Sequence, residues 1–187
     1  MKILMLDNYD SFTYNLVNLV QECGEDIDVC RNDEISLEAV AAYDKIILSP
    51  GPGLPKDAGI MHALIKQYQS SKHILGVCLG LQAIVEVNGG SLYNLPYPVH
   101  GQGTPVMHNG GHLFKTIPAQ FTAGRYHSWA ANPVNLPVNL YVTATAADGV
   151  IMGIQHQDYN VYGVQFHPES ILTQYGKDLI KNFLDIG

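Results

Sequence analysis

The amino-acid sequence predicts an α/β fold, in which one domain over residues 1–187 contains a mixed, mostly parallel sheet with helices on both faces. Two patterns support this prediction. In the first 90 residues, short apolar runs alternate four times with stretches of helical spacing, as in parallel sheets whose strands are joined by helices. The second half is rich in β-branched and aromatic residues between Gly, Pro and Asn turns, which indicates antiparallel hairpins added to the sheet.

Four strand–helix pairs are predicted in the first half. The run KILML has the apolar density of a buried strand. The helix after it has a stripe of Leu and Val, can be capped by Asp10 or Ser11, and can end at Gly24. The same pattern recurs three times. The predicted strands are 2–6, 26–32, 45–49 and 73–77, and the predicted helices are 12–23, 36–43, 59–69 and 81–87.

Five further strands and a final helix are predicted in the second half. Each strand segment combines β-branched or aromatic residues with flanking turn residues. These segments are 101–108, 125–131, 139–147, 150–157 and 160–166, and the helix is 173–184. The chain has no linker, repeat or low-complexity tract, so a single compact domain is expected.

The composition excludes several classes of function. A hydrophobic content of 47% with 14% charged residues is that of an ordinary globular protein, and the net charge of -7 argues against nucleic acid or an anionic membrane as the main partner. No apolar run reaches the roughly 18 residues of a membrane span and no signal peptide is recognised, so a cytoplasmic location is expected. The three cysteines, Cys23, Cys30 and Cys78, lack CxxC spacing, which favours free thiols and no structural metal.

One cysteine stands at a junction that suits a nucleophile. The sequence GVCLG, residues 76–80, joins a predicted strand to a predicted helix, and small residues there allow a strained turn that exposes the side chain of Cys78. The helix N-terminus favours the thiolate, the Leu79 N–H can donate to an oxyanion, and Gln82 lies one turn further along the same face. The alternative is a buried cysteine that packs as a small hydrophobic side chain.

The segment GVQFHPES, residues 163–170, supplies a candidate base. His167 and Glu169 are two residues apart, so in an extended segment both side chains point to the same side. A histidine oriented by a carboxylate completes the set of nucleophile, base and orienting group. A solvated strand end is the alternative. The other seven histidines have no comparable spacing and are expected at the surface or in loops unless they are adjacent to a motif.

Two more loops follow predicted parallel strands, where α/β sheets bind ligands. In SPGPGLP, residues 49–55, glycines between prolines make a rigid loop whose backbone can approach a ligand, and the N–H of Gly53 can serve an oxyanion. An ordinary turn at the strand exit is the alternative. Asp7 and Asp10 in DNYDS resemble the acid cluster of a phospho-receiver, but Ser49 stands where its acceptor aspartate would be needed.

With GVCLGLQ, SPGPG and GVQFHPES in this order, the chain resembles the class I, or triad, glutamine amidotransferases over essentially its whole length. Such a domain has a flavodoxin-like sheet. The opening DNYDSFTYN, with RYHS at 125–128 and HPESILT at 167–173, is most similar to glutaminase subunits that serve chorismate-using synthases. Those subunits belong to anthranilate synthase, in tryptophan biosynthesis, and to aminodeoxychorismate synthase, in folate biosynthesis.

The resemblance implies that L-glutamine is hydrolysed to glutamate and ammonia through a cysteine thioester. Cys78 would be the nucleophile, His167 the base and Glu169 its orienting group. The backbones of Gly53 and Leu79 would form the oxyanion hole. The residues implied for substrate binding are Gly51, Pro52, Gly53, Gln82, Ser128 and Trp129. No metal or organic cofactor is implied, and the ammonia would pass to a chorismate-binding partner in a hetero-oligomer.

Two positions depart from the family pattern. Leu81 stands where the family often has His, and Gln102 stands where it often has Lys. Neither is a member of the triad, although Gln102 lies in the segment 94–104, which is expected to form a loop and, with DNYDSF, to contact the partner. Two other functions are considered: a catalytically silent scaffold that regulates a synthase, and a flavodoxin-like cysteine hydrolase or chaperone with other substrates.

Overall fold

A computed structural model describes residues 1–187, and all of its strands belong to one nine-stranded sheet. The strands are β1 Ile3–Asp7, β2 Asp28–Arg31, β3 Lys45–Leu48, β4 His73–Val77, β5 Leu92–His108, β6 Gln120–Ala131, β7 Leu140–Ala146, β8 Ile151–His156 and β9 Val161–Val164. The helices are α1 Thr13–Glu22, α2 Leu37–Val40, α3 Met61–Tyr68, α4 Leu79–Val87 and α5 Gly176–Leu184. None of these helices is both long enough and apolar enough to span a membrane.

The sheet has a parallel half and an antiparallel half. Its strand order is β2-β1-β3-β4-β9-β8-β7-β5-β6, and the first five strands in that order run parallel. Along β1, Ile3 and Met5 enter the core beside α1 and α5, whereas Leu4 and Leu6 enter the core beside α2, α3 and α4. Because successive side chains of a strand point to opposite faces, a strand with consecutive apolar residues needs helices on both sides of the sheet to bury them. The predicted mixed α/β fold is therefore confirmed.

The placement of β9 differs from the prediction. The segment 160–166 was predicted to belong to the antiparallel hairpins, and β9 does pair antiparallel with β8. Its other edge pairs parallel with β4, so that β9 joins the two halves of the sheet. All four of its residues are buried, as is typical of a strand with neighbours on both edges and helices on both faces.

The segment 94–104 is part of a strand rather than a loop. It lies within β5, which begins at Leu92 and pairs with β6 along most of its length. The register shifts between Asn94 and Val99 and again between His100 and Gln102. Pro96 and Pro98, which cannot donate to the ladder, lie in the first of these irregular stretches and account for the break in pairing there.

The turn before α1 is also built differently from the prediction. The N-cap of α1 is Phe12, which makes no capping bond through its side chain, so neither Asp10 nor Ser11 is the cap. The Asp10 carboxylate accepts from the Phe12 N–H at 2.8 Å. The Asp7 carboxylate accepts from the Tyr9 N–H at 3.0 Å and from the Thr13 hydroxyl at 2.8 Å. Both aspartates thus form the local bonds that favour them in turns, which explains the acid pair without a phospho-receiver site.

Candidate active site

The loops that carry the four sequence motifs meet at one edge of the sheet. DNYDS begins at the last residue of β1, SPGPG follows β3, GVCLG runs from the end of β4 into α4, and QFHPE follows β9. These four strands are consecutive parallel neighbours. The carboxyl ends of parallel strands open at the same edge, which is where α/β sheets bind ligands. Residues far apart in the sequence therefore converge there.

Cys78 adopts the strained conformation expected of a nucleophile elbow. It lies between the last residue of β4 and the first residue of α4, with φ +52° and ψ −98°. Positive φ is uncommon for a residue with a side chain and costs about 1–3 kcal/mol, so the surrounding structure has to enforce it. Because α4 begins at Leu79, its first N–H groups lie beside Cys78 without partners inside the helix.

Two glycines allow the sharp turn at Cys78. A Cβ on Gly76 would lie 2.4 Å from the carbonyl carbon of Gly80, and a Cβ on Gly80 would lie 2.8 Å from the carbonyl oxygen of Leu48. Any side chain at either position would separate β4, α4 and β3. The two glycines of GVCLG are therefore required for close packing of the backbone around Cys78.

His167 and Glu169 form a buried pair. The Nδ1 atom of His167 lies 2.6 Å from Oε1 of Glu169, and the Glu169 side chain is wholly buried. The pair lies in a turn rather than in an extended segment, because the Ser170 N–H donates to the His167 carbonyl at 3.2 Å. A further bond, from the His167 N–H to the Gly124 carbonyl at 3.0 Å, holds the turn against β6.

The surroundings of His167 favour its charged form. Burial by itself would lower the pKa of the imidazole, but the Cys78 sulfur and the Glu169 carboxylate outweigh it and raise the pKa to about 10. The Nε2 atom of His167 makes no formed hydrogen bond in the structure, although the Cys78 sulfur is the first of the groups that raise its pKa. Such contacts are often loose without substrate and tighten when it binds.

A cavity of about 200 Å³ lies beside Cys78. All the residues predicted for the oxyanion hole and for substrate binding line it: Gly51, Pro52, Gly53, Leu79, Gln82, Ser128 and Trp129. The SPGPG loop is held against the end of β1, because the Asn8 N–H donates to the Ser49 hydroxyl at 2.8 Å. Gly53 has φ +76°, a conformation that favours glycine. The structure thus brings the predicted residues together, while their roles stay predictions.

Three residues of this region were not predicted from the sequence to belong to the site. Tyr126 and His127 line the cavity, and Gln165 donates from Nε2 to the Cys78 sulfur at 3.4 Å. The expectation that histidines away from the motifs lie at the surface or in loops is wrong for His156, which is 2% exposed and lies in β8. His127, which belongs to the RYHS motif, is 6% exposed. A signal existed for Gln165, since it is a lone polar residue in the apolar run VYGVQF.

The environment of His127 differs from that of His167. Its pKa is lowered to about 4, chiefly by burial and further by the charges of Arg125 and His167, so the ring is neutral at pH 7. Nowhere in residues 1–187 do three or more His, Cys, Asp or Glu side chains cluster as a metal site requires. These features define a class: an α/β protein with a cysteine at a strand–helix elbow, a His–Glu pair beside it and a small polar cavity.

Comparison with known proteins identifies the family. The glutamine amidotransferase class-I profile matches residues 4–186, and the chain belongs to that family. It is 47% identical over 186 residues to anthranilate synthase component 2 of Pyropia yezoensis, covering 98% of each chain. It is 43% identical to the aminodeoxychorismate/anthranilate synthase component 2 of Bacillus subtilis, covering 98% of this chain and 95% of that one. Among solved structures, a putative GMP synthase subunit from Thermoplasma acidophilum superposes with a TM-score of 0.89 at 28% identity, covering 98% of this chain and 92% of that one.

Proposed function

We propose that this chain hydrolyses L-glutamine to glutamate and ammonia through a thioester on Cys78. The observation that carries the proposal is the position of Cys78: a strained cysteine at a helix N-terminus, next to a histidine whose pKa is raised to about 10. A thiolate beside an imidazolium is the reactive form of a cysteine nucleophile. A scaffold without catalysis would have no need of this arrangement.

The steps follow from the groups around the cavity. The thiolate attacks the side-chain amide carbon of glutamine, and the backbone N–H groups of Gly53 and Leu79 stabilise the oxyanion that forms. The His167 imidazolium then gives its proton to the departing ammonia, which leaves the acyl group on the sulfur. A water molecule attacks the thioester while His167 takes its proton, and glutamate and the thiolate are released. Glu169 keeps Nε2 of His167 directed at the reaction throughout.

Substrate binding is assigned to the remaining lining residues. Gly51, Pro52 and Gly53 line the cavity with their backbone, and Gln82, Ser128 and Trp129 line it as well. No oxidation, reduction or metal-bound step is needed for amide hydrolysis by this route, so we propose that this subunit works without a cofactor.

We further propose that the ammonia is used by a chorismate-using synthase subunit in the cytoplasm. Relatives named anthranilate synthase component 2 at 43–47% identity over almost the whole chain support this assignment. A subunit of aminodeoxychorismate synthase, or one serving both synthases, is the second candidate, and the name of the Bacillus subtilis relative supports it.

The test is reconstitution with each candidate synthase subunit. Chorismate, glutamine and Mg²⁺ are supplied, and glutamate, anthranilate and aminodeoxychorismate are measured. Glutamate together with anthranilate is the expected result, whereas aminodeoxychorismate would assign the second partner. Absence of glutamate with both partners, while each partner still uses free ammonium, would leave the silent scaffold as the explanation.

A further inference from the structure

Gln165 contacts the nucleophile, and the steps proposed above give it no part. It follows the last residue of β9, is wholly buried, and donates from Nε2 to the Cys78 sulfur at 3.4 Å. A buried polar side chain in an apolar strand costs free energy unless its hydrogen bonds are satisfied. Its second polar atom, Oε1, accepts from Nε2 of Gln82 at 3.2 Å.

The donors and acceptors around Gln165 determine which end of its amide faces the sulfur. The Trp129 carbonyl can only accept, so Gln82, at 3.0 Å, has to present its NH₂ group there. The same NH₂ group also donates to Gln165, so the atom of Gln165 that faces it has to be the accepting oxygen, Oε1. The NH₂ group of Gln165 is then the end that is left for Cys78.

The Trp129 carbonyl is itself held from the other side. The Nε of Arg125, which is only a donor, contacts Nε2 of His127 at 3.1 Å, so that nitrogen accepts. The proton of the neutral ring is then on Nδ1, which donates to the Trp129 carbonyl at 2.8 Å. Two donors fix this carbonyl, so the orientation of the Gln82 and Gln165 amides is built into the buried structure.

We propose that Gln165 stabilises the thiolate of Cys78 by donating a hydrogen bond to its sulfur, with Gln82 holding the Gln165 amide in the donating orientation. A donor strengthens its bond when the acceptor becomes an anion, so this contact favours the thiolate over the thiol. Gln82 also lines the cavity, so it joins the proposed substrate site to the group that contacts the sulfur. The catalytic meaning of Gln165 rests on the proposed function, but the hydrogen bond does not.

The test measures how fast iodoacetamide alkylates Cys78 between pH 5 and pH 10, by mass spectrometry of the full chain with Cys23→Ser and Cys30→Ser. Gln165→Met removes the donor at similar volume, and Gln165→Glu exchanges the donor for an acceptor at the same shape. Thr143→Val serves as the control, because Thr143 is 4% exposed and lies on β7 outside the cavity. Circular dichroism and thermal unfolding establish that each variant is folded.

The midpoint of alkylation is expected to move to higher pH by about one to two units in Gln165→Met, the range that a hydrogen bond to a charged group implies. The shift should be larger in Gln165→Glu and absent in Thr143→Val. If neither Gln165 variant folds, Gln82→Met is expected to shift the midpoint in the same direction by less. An unchanged midpoint in the folded variants overturns the proposal. This readout needs no glutamine, so it is independent of whether the wild-type chain produces glutamate.

Discussion

The backbone N–H of Cys78 donates to the carbonyl oxygen of Val164 at 2.8 Å. This bond continues the parallel ladder between β4 and β9 by one residue beyond β4, into the elbow. His167 is only three residues past Val164. The bond that anchors Cys78 therefore also fixes where the His167–Glu169 turn lies relative to the Cys78 side chain. The join between the two halves of the sheet therefore assembles the site.

Cys78→Ser is expected to abolish synthesis from glutamine in the complex and to leave synthesis from free ammonium intact. Serine has nearly the size of cysteine but is a far weaker nucleophile at neutral pH. Cys23→Ser is the matched control and should behave like wild type, because burial raises the pKa of Cys23, and that of Cys30, which disfavours their thiolates. A glutamine-using Cys78→Ser complex would contradict the assignment.

His167→Ala is expected to lower the catalytic rate, whereas Leu81→His is expected to lower mainly the stability of the fold. Loss of the base should lower the glutaminase rate by about 10²–10⁴-fold. Leu81 is wholly buried, and a Cβ on Gly163 of β9 would lie 3.0 Å from its side chain, so it packs against the β8–β9 hairpin. Leu81→His should keep most of the rate and lose about 1–3 kcal/mol of stability through burial of a polar ring.

Both rates are measured in the complex with the synthase, and His112→Ala, at an exposed histidine, is the control. An active His167→Ala complex would require another base.

Gly76→Ala is expected to destabilise the fold by about 3 kcal/mol or more, at or beyond the upper end of overpacking effects. The added Cβ would lie 2.4 Å from the backbone of Gly80, and neither chain segment can move without opening the elbow. Gly149→Ala is the matched control, since it has φ +81° but open space around it and should cost only about 1 kcal/mol. The free energy of unfolding of both variants is measured in urea. Equal losses of stability would mean that the close approach of the Gly76 and Gly80 backbones is unimportant.

Glu169→Gln is expected to make stability less dependent on pH in the alkaline range. The folded-state pKa of His167 is raised to about 10, above the unfolded value of about 6.5, so the ring binds more protons in the folded chain. The raised pKa comes from the Cys78 sulfur and from the Glu169 carboxylate, and the part of the stabilisation due to Glu169 is fully present below pH ~6.5 and is lost as the pH rises toward 10. Unfolding free energies of wild type and variant should differ most near pH 6 and converge toward pH 10. A constant difference across that range would show that the pair is not a source of the pH dependence.

Glutamine hydrolysis is expected to be slow in the isolated chain and faster in the complex, because docking closes the site into productive geometry. Tyr97, in the segment 94–104, is 83% exposed, and Tyr97→Asp should weaken the stimulation by the synthase subunit. Val138→Asp is the control, because Val138 is 92% exposed but lies outside the proposed contact. Titration of each variant with the partner measures the effect, and equal rates for the isolated chain and the complex would contradict it.

Most elements of the fold could be predicted from local sequence. Apolar runs and helical stripes predicted the bounds of β4, residues 73–77, correctly, and those of α1 to within one residue at each end. The glycines of GVCLG predicted a strained corner at Cys78, and the structure has it. These features depend on residues within one or two turns of the chain, where the period of apolar residues and the conformational range of glycine decide the outcome.

The composition of the site depended on contacts that no local pattern encodes. Gln165 and Cys78 are 87 residues apart, and only the pairing of β9 with β4 brings them together. That pairing was missed because the apolar pattern of residues 160–166 predicts a strand but not its neighbours, and β9 pairs with both β8 and β4. The sequence by itself determined which residues can do the chemistry. The tertiary structure decided which of them meet, because hydrogen-bond partners in a buried site are chosen by packing across the chain.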